Sequence, residues 1–174
     1  MIETSRLRLR EWRIGEEALL ARFLSDERVM YAYEGAFSEA EVAHWLQWNL
    51  ASYQENGFGL WAMEDKVTGN LLGECGLTWQ VVEGEKLLEI GYHLLYDAWH
   101  KGYAQEAAQA VRDYAFTTLK AQKVHSIVRD TNLASMNVAI RNGMTVEKRF
   151  VKEYKGVVMP HYLFAVENLK PRNY

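Results

Sequence analysis

Residues 87–120 read L-L-E-I-G-Y-H-L-L-Y-D-A-W-H-K-G-Y-A-Q-E-A-A-Q-A-V-R-D-Y-A-F-T-T-L-K. The hydrophobic period divides this stretch in two. Residues 87–95 are short, apolar and aromatic and close before Asp97, which predicts a strand. From Ala104 the period lengthens. Ala104, Ala107, Ala108, Val111, Ala115 and Leu119 recur at helical spacing, with Gln105, Gln109, Arg112 and Asp113 between them. The join is Trp99-His100-Lys101-Gly102-Tyr103-Ala104. A strand that passes through a glycine turn into a helix gathers unpaired N–H groups in one place, under the positive end of the helix dipole. That is a seat for a phosphate or pyrophosphate. Lys101 could add charge at its rim, and Gly102 allows close approach or a positive φ. An ordinary turn with a surface lysine explains the same letters as well. No G-x-x-x-x-G-K-[ST] or G-x-G-x-x-G occurs, so neither a phosphate-loop NTPase nor a dinucleotide-binding protein is indicated.

Upstream, residues 7–12 alternate apolar with charged side chains and predict a half-buried strand. Residues 16–30 carry a helical stripe of Ala18, Leu19, Phe23, Leu24 and Val29. Ser38 with Glu41 three residues on is a capping box, followed by the stripe Val42, Trp45, Leu46 and Leu50 and a stop at Gly57. Residues 58–63 and 71–79 predict a hairpin, and residues 81–86 an acidic connection. Downstream, residues 124–129 predict a strand. A short helix opens among the cap-forming residues near Asn132 and ends at Gly143. Residues 145–154 and 157–166 form a closing hairpin turned at Lys155-Gly156. The predicted order is strand, two helices, three strands, helix, strand, helix, two strands. Adjacent hairpins argue for a mixed sheet rather than a wholly parallel one. No repeat, linker or low-complexity tract divides residues 1–174, which read as one domain.

The chain has 174 residues, 49% of them hydrophobic and 25% charged, and a net charge of −3. That length supports a sizeable core, and the charge argues against nucleic acid or an anionic membrane as a bulk partner. The single cysteine, Cys75, excludes an intrachain disulfide and an all-cysteine metal site. A reducing, cytoplasmic setting follows. The opening M-I-E-T-S-R-L-R-L-R has no secretory apolar run, and no stretch approaches the roughly 20 apolar residues that span a bilayer. No H-E-x-x-H or paired C-x-x-C pattern is present, so no metal is expected.

W-H-K-G-Y-A-Q-E-A, followed by N-L-A-S-M-N-V-A-I-R-N-G-M, resembles the GNAT superfamily of acetyl-CoA-dependent N-acetyltransferases, and most closely its RimJ/RimL type, the ribosomal-protein N-terminal acetyltransferases. The resemblance covers nearly the whole chain. It implies an α/β (α+β) GNAT acyl-CoA N-acyltransferase fold, with a mixed, mostly antiparallel sheet of about seven strands flanked by about four helices. The family's phosphate turn is Q/R-x-x-G-x-G/A. Gly102 and Ala104 match its last fixed places, Trp99 stands at the Gln/Arg place, and His100 stands where this branch often has glycine.

The resemblance implies acetyl-CoA as cosubstrate and an amine acceptor as partner, in a monomer or homodimer. Pyrophosphate would sit on Lys101, Gly102, Tyr103, Ala104 and Gln105, with His100 beside them. The pantetheine arm would meet backbone groups of His93, Leu94 and Leu95, one of whose amides could polarise the thioester. Asn132 and Asn137 would be further cofactor contacts, although Asn132 could equally cap its helix.

The chemistry needs a neutral amine, N–H donors for an oxyanion and a proton for the departing thiolate. Glu89 is the first candidate for general base, against a purely structural carboxylate. His93, on the same face of the strand, ranks below it. Ser135 is the candidate proton donor, against a helix-cap serine. Some relatives place a tyrosine acid seven residues after the asparagine. Here that position is Ala139, and Tyr154 is a weak substitute. Cys75 reads as a buried small residue rather than an acetyl carrier, so direct transfer in a ternary complex is expected.

Glu34, Glu83 and Glu85 beside Tyr31, Tyr33 and Trp79 would suit a cationic amine, although Glu83 and Glu85 also read as a solvated loop. A protein or peptide N-terminal α-amine is the leading acceptor. A small amine (polyamine, aminoglycoside or amino acid) is the alternative, as is a non-catalytic acyl-CoA-binding regulatory module.

Overall fold

The computed structural model describes residues 1–33, 35–154 and 156–169. Eight strands form one sheet in the order β1-β2-β3-β4-β5-β6-β8-β7. They are β1 Ile2–Glu3, β2 Leu7–Arg10, β3 Leu60–Asp65, β4 Leu71–Val82, β5 Glu85–Leu94, β6 Lys123–Arg129, β7 Thr145–Tyr154 and β8 Val157–Glu167. Five helices accompany them: α1 Glu17–Leu24, α2 Glu27–Met30, α3 Glu39–Asn56, α4 Tyr103–Thr117 and α5 Leu133–Arg141. Every pairing is antiparallel except β5 with β6, the one neighbouring pair joined through a crossover helix, α4.

The mixed, mostly antiparallel α/β architecture matches the expectation, with corrections in detail. Ile2–Glu3 adds an eighth strand, pairing with Leu9 and Arg8. The first strand stops at Arg10 rather than Trp12. The helix expected over 16–30 breaks at Ser25, and Asp26 caps a separate α2 through the N–H of Arg28. The connection expected over 81–86 is a two-residue hairpin. Glu83 (φ 49°) and Gly84 (φ 82°) are both left-handed, the turn that matches strand twist. The capping box at Ser38 and Glu41 and the left-handed Gly57 after α3 are as expected. Lys155, one half of the predicted last turn, lies outside the described residues.

Alternation assigns the two faces of the sheet. Trp61, Cys75 and Tyr92 form one cross-strand row, and Trp61 meets Tyr114 of α4 edge-on at 5.4 Å. The next row, Ala62, Glu74 and His93, faces the other way, toward Phe23 of α1 and Trp45 of α3. The sheet is therefore filled on both sides, and its central strands β4 and β5 carry fully buried Cys75 and Leu77 as well as Ile90.

Candidate active site

The turn from β5 into α4 is built to leave amides open. A single turn of 3-10 helix, Tyr96–Ala98, follows β5. The Trp99 indole then donates to the Leu94 carbonyl (3.2 Å). His100 (φ 60°) and Gly102 (φ 79°) are both left-handed. Glycine takes that conformation freely, whereas His100 carries its strain. Arg6 holds the turn from the side. Its Nη1 donates to the Lys101 carbonyl (2.9 Å), its Nε to Glu106 (2.7 Å), and its guanidinium lies 4.5 Å over the Tyr103 ring. No side chain caps α4 at Gly102. The N–H groups of Tyr103, Ala104 and Gln105 have no acceptor among the described residues. They line a cleft of about 430 Å³ together with His100, Asn137 and Arg141. Lys101 is exposed and outside that lining. Arg141 is the cation the sequence reading missed. It sits at the end of α5, 3.5 Å from the Gln105 side chain.

The cleft continues where the sheet comes apart. β5 and β6 pair only at Glu89 and His125. The Ser126 hydroxyl donates to the Ile90 carbonyl (3.1 Å) and closes the seam. Beyond that point β5 runs on to Leu94 without β6. Even-numbered residues of β5 direct their backbone groups to this open side: the Tyr92 carbonyl accepts from the Tyr33 hydroxyl (3.3 Å) and that of Leu94 from Trp99. The backbone contacts expected at His93, Leu94 and Leu95 shift accordingly. The His93 carbonyl abuts Gly73, where a Cβ would lie 2.1 Å away, and the Leu95 N–H bonds the Leu72 carbonyl (2.8 Å). Both belong to the β4 ladder, so the open amides are those of Leu94 and Tyr92.

A second, larger cleft of about 870 Å³ lies over the α3 face of the sheet. Gly91 lines it, paired across the sheet with Gly76, which lies against the backbone of β3. A Cβ on Gly76 would fall 2.0 Å from the Gly59 carbonyl, so no other residue fits. One on Gly91 would only touch the Glu89 carboxyl at 3.4 Å, so this glycine keeps room beside Glu89. Glu89 is half-buried in this cleft with no hydrogen bond or ion pair to its carboxyl among the described residues. Burial pushes that carboxyl up to about 7, against a smaller opposing pull from Lys152.

The two clefts meet at Tyr33, Tyr92, His93, Asn132 and Ser135, which line both. His93 is fixed from beneath. Its Nδ1 lies 3.0 Å from fully buried Glu74, which also accepts from the indoles of Trp12 (3.1 Å) and Trp45 (3.0 Å). The carboxylate accepts, so His93 carries its proton on Nδ1. Asn132, not Ser135, caps α5: its Oδ1 accepts the Ser135 N–H (3.2 Å). Ser135 sits in the first turn, buried, and its carbonyl accepts the Tyr92 hydroxyl (3.2 Å). Tyr33 is a junction group that sequence reasoning placed only in the acceptor wall. Burial pushes its phenol up to about 12, with Ser135 and Asn132 as polar neighbours, so it remains a protonated donor.

Other expected acceptor groups lie elsewhere. Glu83 pairs with Lys148 (3.2 Å), and Glu83, Glu85 and Trp79 line neither cleft. Glu34 lies outside the described residues. Tyr31 borders the smaller cleft and Tyr154 the larger. Cys75 is fully buried on the α4 face, and burial, with the neighbouring Glu74 charge, pushes its thiol well above the usual range. Cys75→Ala is therefore expected to keep its acetyl-transfer rate within about twofold, because a protonated, inaccessible thiol takes no part. Stopped-flow turnover of the variant checks this.

An uncapped helix N-terminus, an unpaired strand edge and a raised carboxylate in the adjoining cleft suit an enzyme that passes an acyl group from a coenzyme A thioester. Residues 6–145 match the family model described as an acetyltransferase (GNAT) domain. The chain belongs to the GNAT acetyltransferase family, and it is an acetyl-CoA-dependent N-acetyltransferase. The uncharacterized protein YkkB of Bacillus subtilis (strain 168) is 36% identical over 90% of this chain and 91% of its own. The uncharacterized N-acetyltransferase YoaA of the same organism is 30% identical over 84% of each. A crystal structure of the acetyltransferase from Agrobacterium tumefaciens str. C58 is 26% identical, with a TM-score of 0.81, over 96% of this chain and 94% of that one.

Proposed function

We propose that this enzyme acetylates a protein or peptide N-terminal α-amine by direct attack in a ternary complex, as a RimJ/RimL-like enzyme of the cytoplasm. The observation that carries this reading is Glu89, without a hydrogen bond or ion pair among the described residues, in the larger cleft with its carboxyl raised by burial to about 7. An α-ammonium has a pKa of about 7.7–8.0, so handing its proton to Glu89 is only slightly uphill. A lysine ammonium, with a pKa of about 10.4, gives up its proton to the same base far less readily. A carboxylate raised toward neutrality is a base strong enough for the α-amine, and the lysine's own higher pKa is what sets it behind.

The remaining residues divide the work. Gly102 to Gln105, with Arg141, hold the diphosphate end, and Asn132, Asn137 and Leu94 hold the arm. Acetyl-CoA, when bound, supplies an activated acetyl thioester. The Tyr92 and Leu94 amides are the donors available to its carbonyl. Tyr33 and Ser135 are the hydroxyls available to the departing thiolate, and Glu89 takes the amine proton, directly or through water.

The test is competition among three acceptors at equal concentration: a peptide with only an α-amine, an N-blocked peptide with only a lysine, and spermidine. Mass spectrometry is expected to find the acetyl increment on the α-amine first. Faster labelling of lysine or spermidine would sink this reading. Binding of coenzyme A without acetylation of any amine would favour a regulatory module.

A further inference from the structure

The far wall of the larger cleft carries positive charge without an ion-pair partner among the described residues. Arg129 on β6 is directly opposite His161 on β8, and Lys152 on β7 is opposite Met159, two residues along the same strand. Residues paired across a sheet share a face, so all three side chains point the same way, into the cleft that holds Glu89. Neighbouring cations are paired: Arg149 with Asp130 (3.4 Å), Lys148 with Glu83 (3.2 Å), and Lys123 with Glu147. Arg129 and Lys152 have no ion pair among the described residues. The Arg129 Nε is buried and has no acceptor there. Leaving a buried donor unmet carries a penalty that a ligand would remove. His161 gives its Nδ1 proton to the Met159 carbonyl (2.7 Å). It is held below the usual histidine range by burial first, and further by the charges of Lys152 and Arg129. Of the other acids bordering the cleft, Glu41 is engaged in its capping box and Glu153 stands at the exposed mouth.

We propose that the acceptor carries a carboxylate as well as its amine, and that this carboxylate docks on Arg129 and Lys152 while the amine lies toward Glu89. The proposal rests on the α-amine reading above and narrows it. A guanidinium reads a carboxylate with two parallel hydrogen bonds, and the adjacent ammonium adds charge. A polyamine, cationic along its length, meets repulsion on the same wall. The carboxylate has two possible sources: an acidic side chain near a peptide N-terminus, or the α-carboxylate of a free amino acid or dipeptide.

The experiment measures kcat/KM for Ala-Glu amide, Ala-Gln amide, free Ala-Gln, free glutamate and spermidine. Binding of the N-acetylated products to the CoA-loaded enzyme is followed by calorimetry, which needs no turnover. An acidic group is expected to raise kcat/KM and tighten product binding by about 10- to 100-fold over Ala-Gln amide. Preference for Ala-Glu amide assigns a side-chain carboxylate and preference for free Ala-Gln an α-carboxylate, while use of free glutamate, which carries both, above Ala-Gln amide supports the carboxylate site from either source. Arg129→Glu, and separately Lys152→Glu, are expected to reverse the ranking toward a peptide with lysine at the second position, a gain that misfolding cannot imitate. Equal use of acidic and neutral acceptors, or preference for spermidine, overturns the proposal. If lysine amines react instead of α-amines, the earlier reading fails. The charge preference is then read from N-blocked lysine peptides with and without a glutamate.

Discussion

Glu89→Gln is expected to lower kcat by about 100- to 1,000-fold, the usual worth of a positioned base. The pH dependence is the sharper signature. Glu89 must be ionised to accept a proton, and its carboxyl lies near 7. Wild-type kcat therefore climbs as pH rises through about 7 and flattens above it. The Gln variant loses that limb. Stability should move the opposite way. The folded state raises this carboxyl above its unfolded value, so the native protein holds the extra proton. Wild-type stability then declines as pH rises from the unfolded carboxylate range through about 7. Above that range the neutral Gln variant should melt higher than wild type, while below it the two should converge. A structural carboxylate would give a variant that melts lower and keeps its rate. If kcat falls less than about threefold and the acid limb persists, the base is another group, and His93 is next.

Glu74→Ala is expected to produce the largest loss of stability. One fully buried carboxylate serves three donors from different parts of the chain: the Trp12 and Trp45 indoles and His93 Nδ1. Alanine leaves all three without an acceptor, at about 1–3 kcal/mol each before any relaxation. A total of about 3–5 kcal/mol corresponds to a fall of roughly 10 °C in a domain of this size. It also frees the His93 ring at the meeting point of the clefts, so coenzyme A and acceptor affinities should both weaken at temperatures where the variant is folded. Differential scanning calorimetry decides the first point. A melting temperature within about 2 °C of wild type would mean that water or a repacked side chain replaces the carboxylate.

What could be read from sequence was local. The helix after Gly102 showed itself because its apolar stripe, its glycine and its missing cap lie within a few residues. Asn132 and Ser135 were visible as a pair for the same reason, although which of them caps α5 depended on geometry. The break at Ser25 was hidden because Leu24, Val29 and Met30 continue the apolar stripe across it. The hairpin at 83–84 was hidden because a glutamate occupies a left-handed position that usually announces itself with glycine or asparagine. Two residues are too few to show a period, so Ile2–Glu3 left no trace. The site beyond Glu89 is assembled by strand order. Placing β8 between β6 and β7 brings Arg129 beside His161, with Lys152 close by, and no spacing along the chain foretells it. Tyr33 reaches the junction from a loop 59 positions away from Tyr92, its hydrogen-bond partner.

The seam between β5 and β6 has a consequence for how the free protein behaves. Main-chain amides at Tyr92 and Leu94 sit mid-sheet yet lack a neighbouring strand, so deuterium should enter them early while flanking ladder positions stay protected. A ligand lying in that seam acts as a surrogate strand, and exchange there should slow on its addition. The same linkage makes robustness a matter of supply: at a hundredfold excess over Kd the native state gains about 2.7 kcal/mol by mass action. Resistance to heat and proteolysis would then rise and fall with the acetyl-CoA pool around the enzyme.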